Sequence, residues 1–218
     1  MSTFHGKVDS LGLSFFGSMT ASISHEIKNQ LATINENAGL ITDLTELSEN
    51  GRPLDVARLN SIAQSICRRV NNADNIVRRL NRFAHSANQP IVTTGIRDII
   101  ACSVALSDRL ATMKGVTLTI EPGEEIEVQT VPFVHENLLW IYLKNIFLVA
   151  EKQQQVALKV HRVDTDIVIT INCSPELSLV NVVSMAASEA QPLLFYLRIQ
   201  VERQQSMFKV RVPIQFID

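Results

Sequence analysis

Residues 16–47, FGSMTASISHEIKNQLATINENAGLITDLTEL, carry the pattern that decides the fold. Apolar side chains recur at Phe16, Met19, Ile23, Ile27, Leu31, Ile34, Ala38, Ile41 and Leu44, in steps of three and four. Spacing of this kind, kept up over so many residues, draws one continuous stripe along a single long helix. The stripe breaks at Ser48-Glu49-Asn50-Gly51-Arg52-Pro53, where glycine can end a helix and proline can open the next. A second stripe then runs through Val56, Leu59, Ile62, Ile66, Val70, Ala73, Val77, Leu80 and Ala84. Two long amphipathic helices joined by so short a connection form an antiparallel hairpin. A single seam between two helices leaves much of each stripe in water, so two hairpins pairing into a four-helix bundle, a homodimer, is the expected assembly.

From His85 to Thr94 the chain turns polar, includes Asn88-Gln89-Pro90 and loses its helical period. Three segments are expected: a helical hairpin over 1–87, a linker over 88–94, and a second domain over 95–218. In the second domain, helical patterns cover Ile96 to Met113 and Pro132 to about Lys152, and a less regular helical region spans Glu176 to Gln204. Strand-like stretches lie at Val116 to Ile120, Ile126 to Gln129, Val156 to Val160, Ile167 to Ile171, and Met207 to Pro213. Strands interleaved with helices on this scale make an α/β sandwich, so the fold class is α+β with two domains.

The 218 residues suit one or two domains, and 46% hydrophobic with 19% charged residues is ordinary for a globular protein. A formal net charge of -2 provides no general attraction to nucleic acid or to an anionic membrane surface. Cys67, Cys102 and Cys173 are far apart and odd in number, so they read as buried free thiols and not as a disulfide framework or zinc site. His5, His85, His135 and His161 lack metal-ligand spacing. No basic-then-apolar leader opens the sequence and no apolar run approaches the ~20 residues that cross a bilayer. A cytoplasmic protein with no nucleic-acid or membrane partner, no bound cofactor and no metal ligands of its own is therefore expected. Arg68, Arg69, Arg78, Arg79 and Arg82 give the second helix a basic face, either solvated or able to meet an acidic partner. Trp140 and Phe147, two helical turns apart, read as core.

The chemistry concentrates in Ser24-His25-Glu26-Ile27-Lys28-Asn29-Gln30-Leu31. At ~100° per residue, His25 falls opposite the midpoint of Ile23 and Ile27 and faces solvent. Asn29 follows one turn later on nearly the same face, and Glu26 is displaced by about 100°. A nucleophilic imidazole needs an open approach, a neighbour that sets its tautomer and a polar group near the in-line path, and these three residues supply that set.

Ser-His-Glu-Ile-Lys-Asn followed by Leu, near the start of the first helix of a long hairpin, resembles the phosphoacceptor box of bacterial sensor histidine kinases. The resemblance implies that His25 takes the phosphoryl group on a ring nitrogen, that Glu26 orients the imidazole and acts as a base, and that Asn29 can place water for phosphatase chemistry. Gln30 stands where that family commonly has proline, which implies a straighter helix and puts the kink-linked switching of sensor kinases in doubt.

The resemblance extends to the second domain, and there it points to loss. Leu143-Lys144-Asn145-Ile146-Phe147-Leu148-Val149-Ala150-Glu151-Lys152 lies over the kinase helix that carries two asparagines. Asn145 matches the first, while Val149 replaces the second, which in the family helps hold magnesium, and valine has no oxygen to offer that ion. After the strand Ile167 to Ile171, Asn172-Cys173-Ser174-Pro175 replaces the family's adenine-binding aspartate and glycines. No glycine occurs in the 95 residues (218 - 123) after Gly123, so a phosphate-cradling glycine loop is missing. Met207-Phe208-Lys209-Val210-Arg211-Val212-Pro213 still resembles the closing strand of the kinase catalytic domain.

A histidine-kinase-type sandwich without its ATP site, behind an acceptor hairpin, resembles the histidine phosphotransferases that evolved from kinases. The implied function is phosphotransfer through phospho-His25 between the aspartates of response-regulator receiver domains, with any magnesium bound by the receiver. Autophosphorylation from ATP is not expected. The other reading is a pseudokinase that binds and regulates, or dephosphorylates, a response regulator or partner kinase.

Overall fold

A computed structural model describes residues 2–174, 179–203 and 207–215. The protein is a mixed α+β chain of five helices and seven strands among the described residues. It divides into two compact units, Gly17–Asn81 on its own and Met1–Phe16 together with Arg82–Asp218.

Helix α1 (Ser2–Glu49) and helix α2 (Val56–Asn88) supply the first unit. Gly51 sits at φ +86° in the turn between them, a conformation glycine adopts at no steric cost. Pro53 lies outside α2, whose opening belongs instead to Asp55: its Oδ1 accepts a hydrogen bond of 2.9 Å from the Arg58 backbone N–H, capping the first turn. Cross-helix hydrogen bonds from Asn37 Nδ2 to Ser65 Oγ at 3.4 Å and from Arg69 Nη1 to Gln30 Oε1 at 3.5 Å fix an antiparallel pairing. The seam is turned slightly from the stripe read off α2. Ile62 and Ile76 are buried, while Val70 and Val77 remain exposed, because the apolar band is wider than one partner helix can cover.

In the second unit, the early turns of α1 and the last turns of α2 pack on the α/β core. Phe83 is fully buried, with ring centroids 5.2 Å from Phe15, 5.3 Å from Phe16 and 5.7 Å from Phe133. Those contacts correct the expected division. The boundary placed at residue 87 falls inside this unit, α1 begins at Ser2 and not near Phe16, and the linker expected over 88–94 shrinks to residues 89–91. β1 (Val92–Gly95) pairs antiparallel with β3 (Glu127–Thr130). A five-stranded sheet follows the order β2-β4-β5-β7-β6, in which β2 (Thr117–Ile120) runs parallel to β4 (Gln155–Val163). β5 (Asp166–Ser174), β7 (Met207–Pro213) and β6 (Gln200–Arg203) complete it in antiparallel fashion.

Helices α3 (Ile96–Lys114), α4 (Pro132–Val149) and α5 (Leu179–Leu197) bury a common core with this sheet. Gly115 ends α3 at φ +69°, where its N–H and that of Val116 close back on Thr112 and Ala111. Pro132 opens α4 at a position where no helical N–H partner is needed. Within the region read as helical from Glu176 to Gln204, the structure has α5 and then the edge strand β6. Pro175, Glu176 and Gln204 lie outside the described residues. Phe147 is core, and Trp140 is half-buried with its ring tilted 31° to that of Phe15 at 6.4 Å. Cys102 and Cys173 are buried, but Cys67 is exposed, one residue past Ile66 on the outer side of α2.

Candidate functional site

His25, Glu26 and Asn29 all lie on α1 within the hairpin unit. His25 and Asn29 are exposed, four residues apart on one face, and Glu26 is half-buried toward α2. The helix runs through Gln30 without a break, and Gln30 spends its side-chain oxygen on Arg69. Glu26 Oε2 accepts a hydrogen bond of 2.7 Å from Arg79 Nη2, an ion pair whose side chains are 18% and 30% exposed. Such partial burial strengthens the pair beyond an ordinary surface contact. The carboxylate is thereby anchored across the hairpin, one residue from the imidazole. Among the described residues, no hydrogen bond joins His25 to Glu26 or Asn29. The ring is thus open to an approaching group, with a fixed negative charge beside it and an amide one turn away.

Sequence reasoning missed Arg79 as part of this site, placing it only on a general basic face. Its partner is 53 residues away in the chain, and helical spacing carries no information across a hairpin. The remaining arginines of that face divide similarly: Arg69 reaches Gln30, and Arg78 pairs with Asp74 one turn earlier on α2.

In the second unit, Asn145 is 5% exposed, and its Nδ2 donates to the Ile141 carbonyl at 2.8 Å, closing on its own helix. Lys144, its neighbour, holds Glu189 of α5 at 2.9 Å. Val149 ends α4, Cys173 is buried, and burial pushes its thiol up to about 12. Val149 offers no oxygen at the place where the resemblance puts a magnesium-holding asparagine. No cluster of three or more His, Cys, Asp or Glu side chains able to hold a metal occurs among the described residues. Nor is any helix among them long and apolar enough to cross a membrane.

No family model matches the chain, and no curated protein does. Among solved structures, the catalytic domain of the histidine kinase ThkA is similar at 10% identity and a TM-score of 0.49, over 58% of this chain and 99% of that one. The Acinetobacter baumannii histidine kinase AdeS is similar at 12% identity and a TM-score of 0.46, over 87% and 98%. ThkA in complex with the response regulator protein TrrA is similar at 13% identity and a TM-score of 0.42, over 93% and 63%. At these identities and scores the likeness assigns no residue a role.

Proposed function

We propose that the protein passes a phosphoryl group between receiver-domain aspartates through His25, as a homodimer of the α1–α2 hairpin. The observation that supports this most directly is the exposed imidazole in Ser24-His25-Glu26-Ile27-Lys28-Asn29, on the first helix of a long hairpin. A ring nitrogen of His25 attacks phosphorus in line, the P–N bond forms as the P–O bond to the receiver's aspartate breaks, and the carboxylate leaves. A second receiver's aspartate then takes the group from phospho-His25 by the reverse displacement. Glu26, steadied by Arg79, favours the cationic character that develops on the imidazole as it accepts the phosphoryl group. Magnesium for the transfer comes with the receiver, since Asn145 is turned inward and Val149 offers no ligand.

A second reading, a pseudokinase that regulates or dephosphorylates a response regulator, is favoured by the exposure of Asn29 beside His25. Incubating the full chain with labelled phospho-receivers, and separately with labelled ATP, separates the readings. Transfer to the protein that is lost in His25→Ala and kept in Asn29→Ala supports relay. Loss of receiver phosphate that depends on Asn29 supports the phosphatase. Labelling from ATP would defeat both.

A further inference from the structure

Asn137, in the second turn of α4, is 3% exposed, and its side-chain amide makes no hydrogen bond to another of the described residues. A buried amide in that condition forfeits bonds that water supplies to the unfolded chain, and such groups in folded proteins have a partner. The residue lines a cavity of about 310 Å³ whose walls all belong to the second unit. Asn172 Oδ1 is sealed from solvent; the Asn137 amide is not, and the cavity is its opening. The rest of the lining is mostly apolar, with Val8, Leu13 and Phe16 from α1, Phe133 from α4 and Leu193 from α5. Leu13, at 75% exposure, forms an open apolar lip. Gly12 lets α1 and Phe133 close tightly beside it, since a Cβ there would stand 3.0 Å from the Phe133 ring. Asp9, exposed on α1, adds a negative charge that no ion pair among the described residues cancels.

We propose that this cavity binds a small, neutral, largely apolar molecule carrying a lactam or primary-amide edge, which exchanges two hydrogen bonds with the Asn137 amide. An asparagine side chain presents a carbonyl acceptor and N–H donors side by side in one plane, and a cis-amide edge offers the complementary donor and acceptor. A lone carbonyl leaves the Asn137 oxygen unmet. A carboxylate can only accept, and the like charge of Asp9 repels it. The volume falls at the lower end of the ~300–1,000 Å³ that small-molecule sites occupy, and apolar walls around a few polar groups are their usual make-up. At roughly 30 Å³ per water the space holds about ten waters. Most of these lie against Leu13, Phe16, Phe133 and Leu193, where displacement by an apolar group is favourable. This inference does not rest on phosphotransfer, because His25 lies outside the second unit.

The test is calorimetric titration of the full chain with 2-quinolone, a bicyclic lactam, and with N-methyl-2-quinolone, which keeps the carbonyl and nearly the same shape but has no N–H. The lactam binds the wild type, and the N-methyl compound binds about five- to a hundredfold more weakly, because one polar group of Asn137 is left unpaired. Asn137→Leu removes that preference, so that the two compounds bind alike. Should that variant not fold, Leu13→Asp at the exposed lip weakens lactam binding about four- to tenfold. In the wild type, methyl resonances of Val8, Leu13 and Leu193 shift on addition of the lactam. Equal affinity of the wild type for the two compounds, no lactam binding at its solubility limit, or a lactam that leaves those three residues unmoved overturns the proposal.

Discussion

Replacing Leu31 and Val70 with glutamate tests whether the hairpin is half of a bundle. Four large members of its apolar stripes stay in water: Leu31 at 54% exposure, Val56 at 61%, Val70 at 51% and Val77 at 40%. Fully burying such a side chain stabilises by ~1.5–3 kcal/mol, so the half that remains exposed is worth ~0.8–1.5 kcal/mol each. Eight side chains across a pair of hairpins give roughly 6–12 kcal/mol gross, set against an association cost of about 4–15 kcal/mol. The upper end of that gain set against the lower end of that cost leaves about 8 kcal/mol, which corresponds to micromolar association and leaves no margin for losses. Taking Leu31 and Val70 out of both copies removes about half of the gain, ~3–6 kcal/mol. At 1.4 kcal/mol per decade this weakens association by about two to four orders of magnitude. Sedimentation velocity over a dilution series then finds a wild-type dimer at micromolar protein and a monomeric double variant of unchanged helicity. A wild type that stays monomeric at its highest soluble concentration refutes the reasoning, as does a double variant that associates as tightly as the wild type.

Phe83→Ala empties the aromatic cluster of Phe15, Phe16 and Phe133, and chemical denaturation should show a loss of about 3–5 kcal/mol. Arg79→Ala unpins Glu26 at the partly buried 2.7 Å pair; a loss of about 1–2 kcal/mol is expected, with Arg79→Lys recovering part of it and part of the phosphotransfer rate. Burial pushes the His135 imidazole down to about 3, so the folded chain refuses a proton that the unfolded chain accepts below ~6.5. Stability then falls as pH drops through that interval, by about 2 kcal/mol at pH ~5, and unfolding curves of His135→Leu should lack this acid limb.

Helical period and strand alternation are local signals, and they located what local signals can. The hairpin was legible from its two stripes, and Met207 to Pro213 as a strand is matched residue for residue by β7. The early turns of α1 were not, because Val8 and Phe15 find their partners on the core of the second unit and not in the hairpin. β6 escaped because four residues at a sheet edge, polar at all but Val201, carry too little pattern to stand apart from a neighbouring helix. Of the candidate site, His25 and Asn29 were readable as an exposed pair, but the tie from Glu26 to Arg79 exists only after the hairpin closes. The buried bond from Ser86 to Glu136 spans 50 residues between α2 and α4 and leaves no mark in either helix alone.

The discontinuous unit also bears on how the chain is made. Phe15 leaves the ribosome 118 residues before its ring partner Phe133 (133 - 15). At ~5–20 residues per second that is an interval of about 6–24 s. For the later part of it Phe15 can meet Phe83 on α2, but Phe133 and the core that buries Val8 are still to come. Nascent chains paused in this interval are where a chaperone that recognises apolar helical segments has its opportunity.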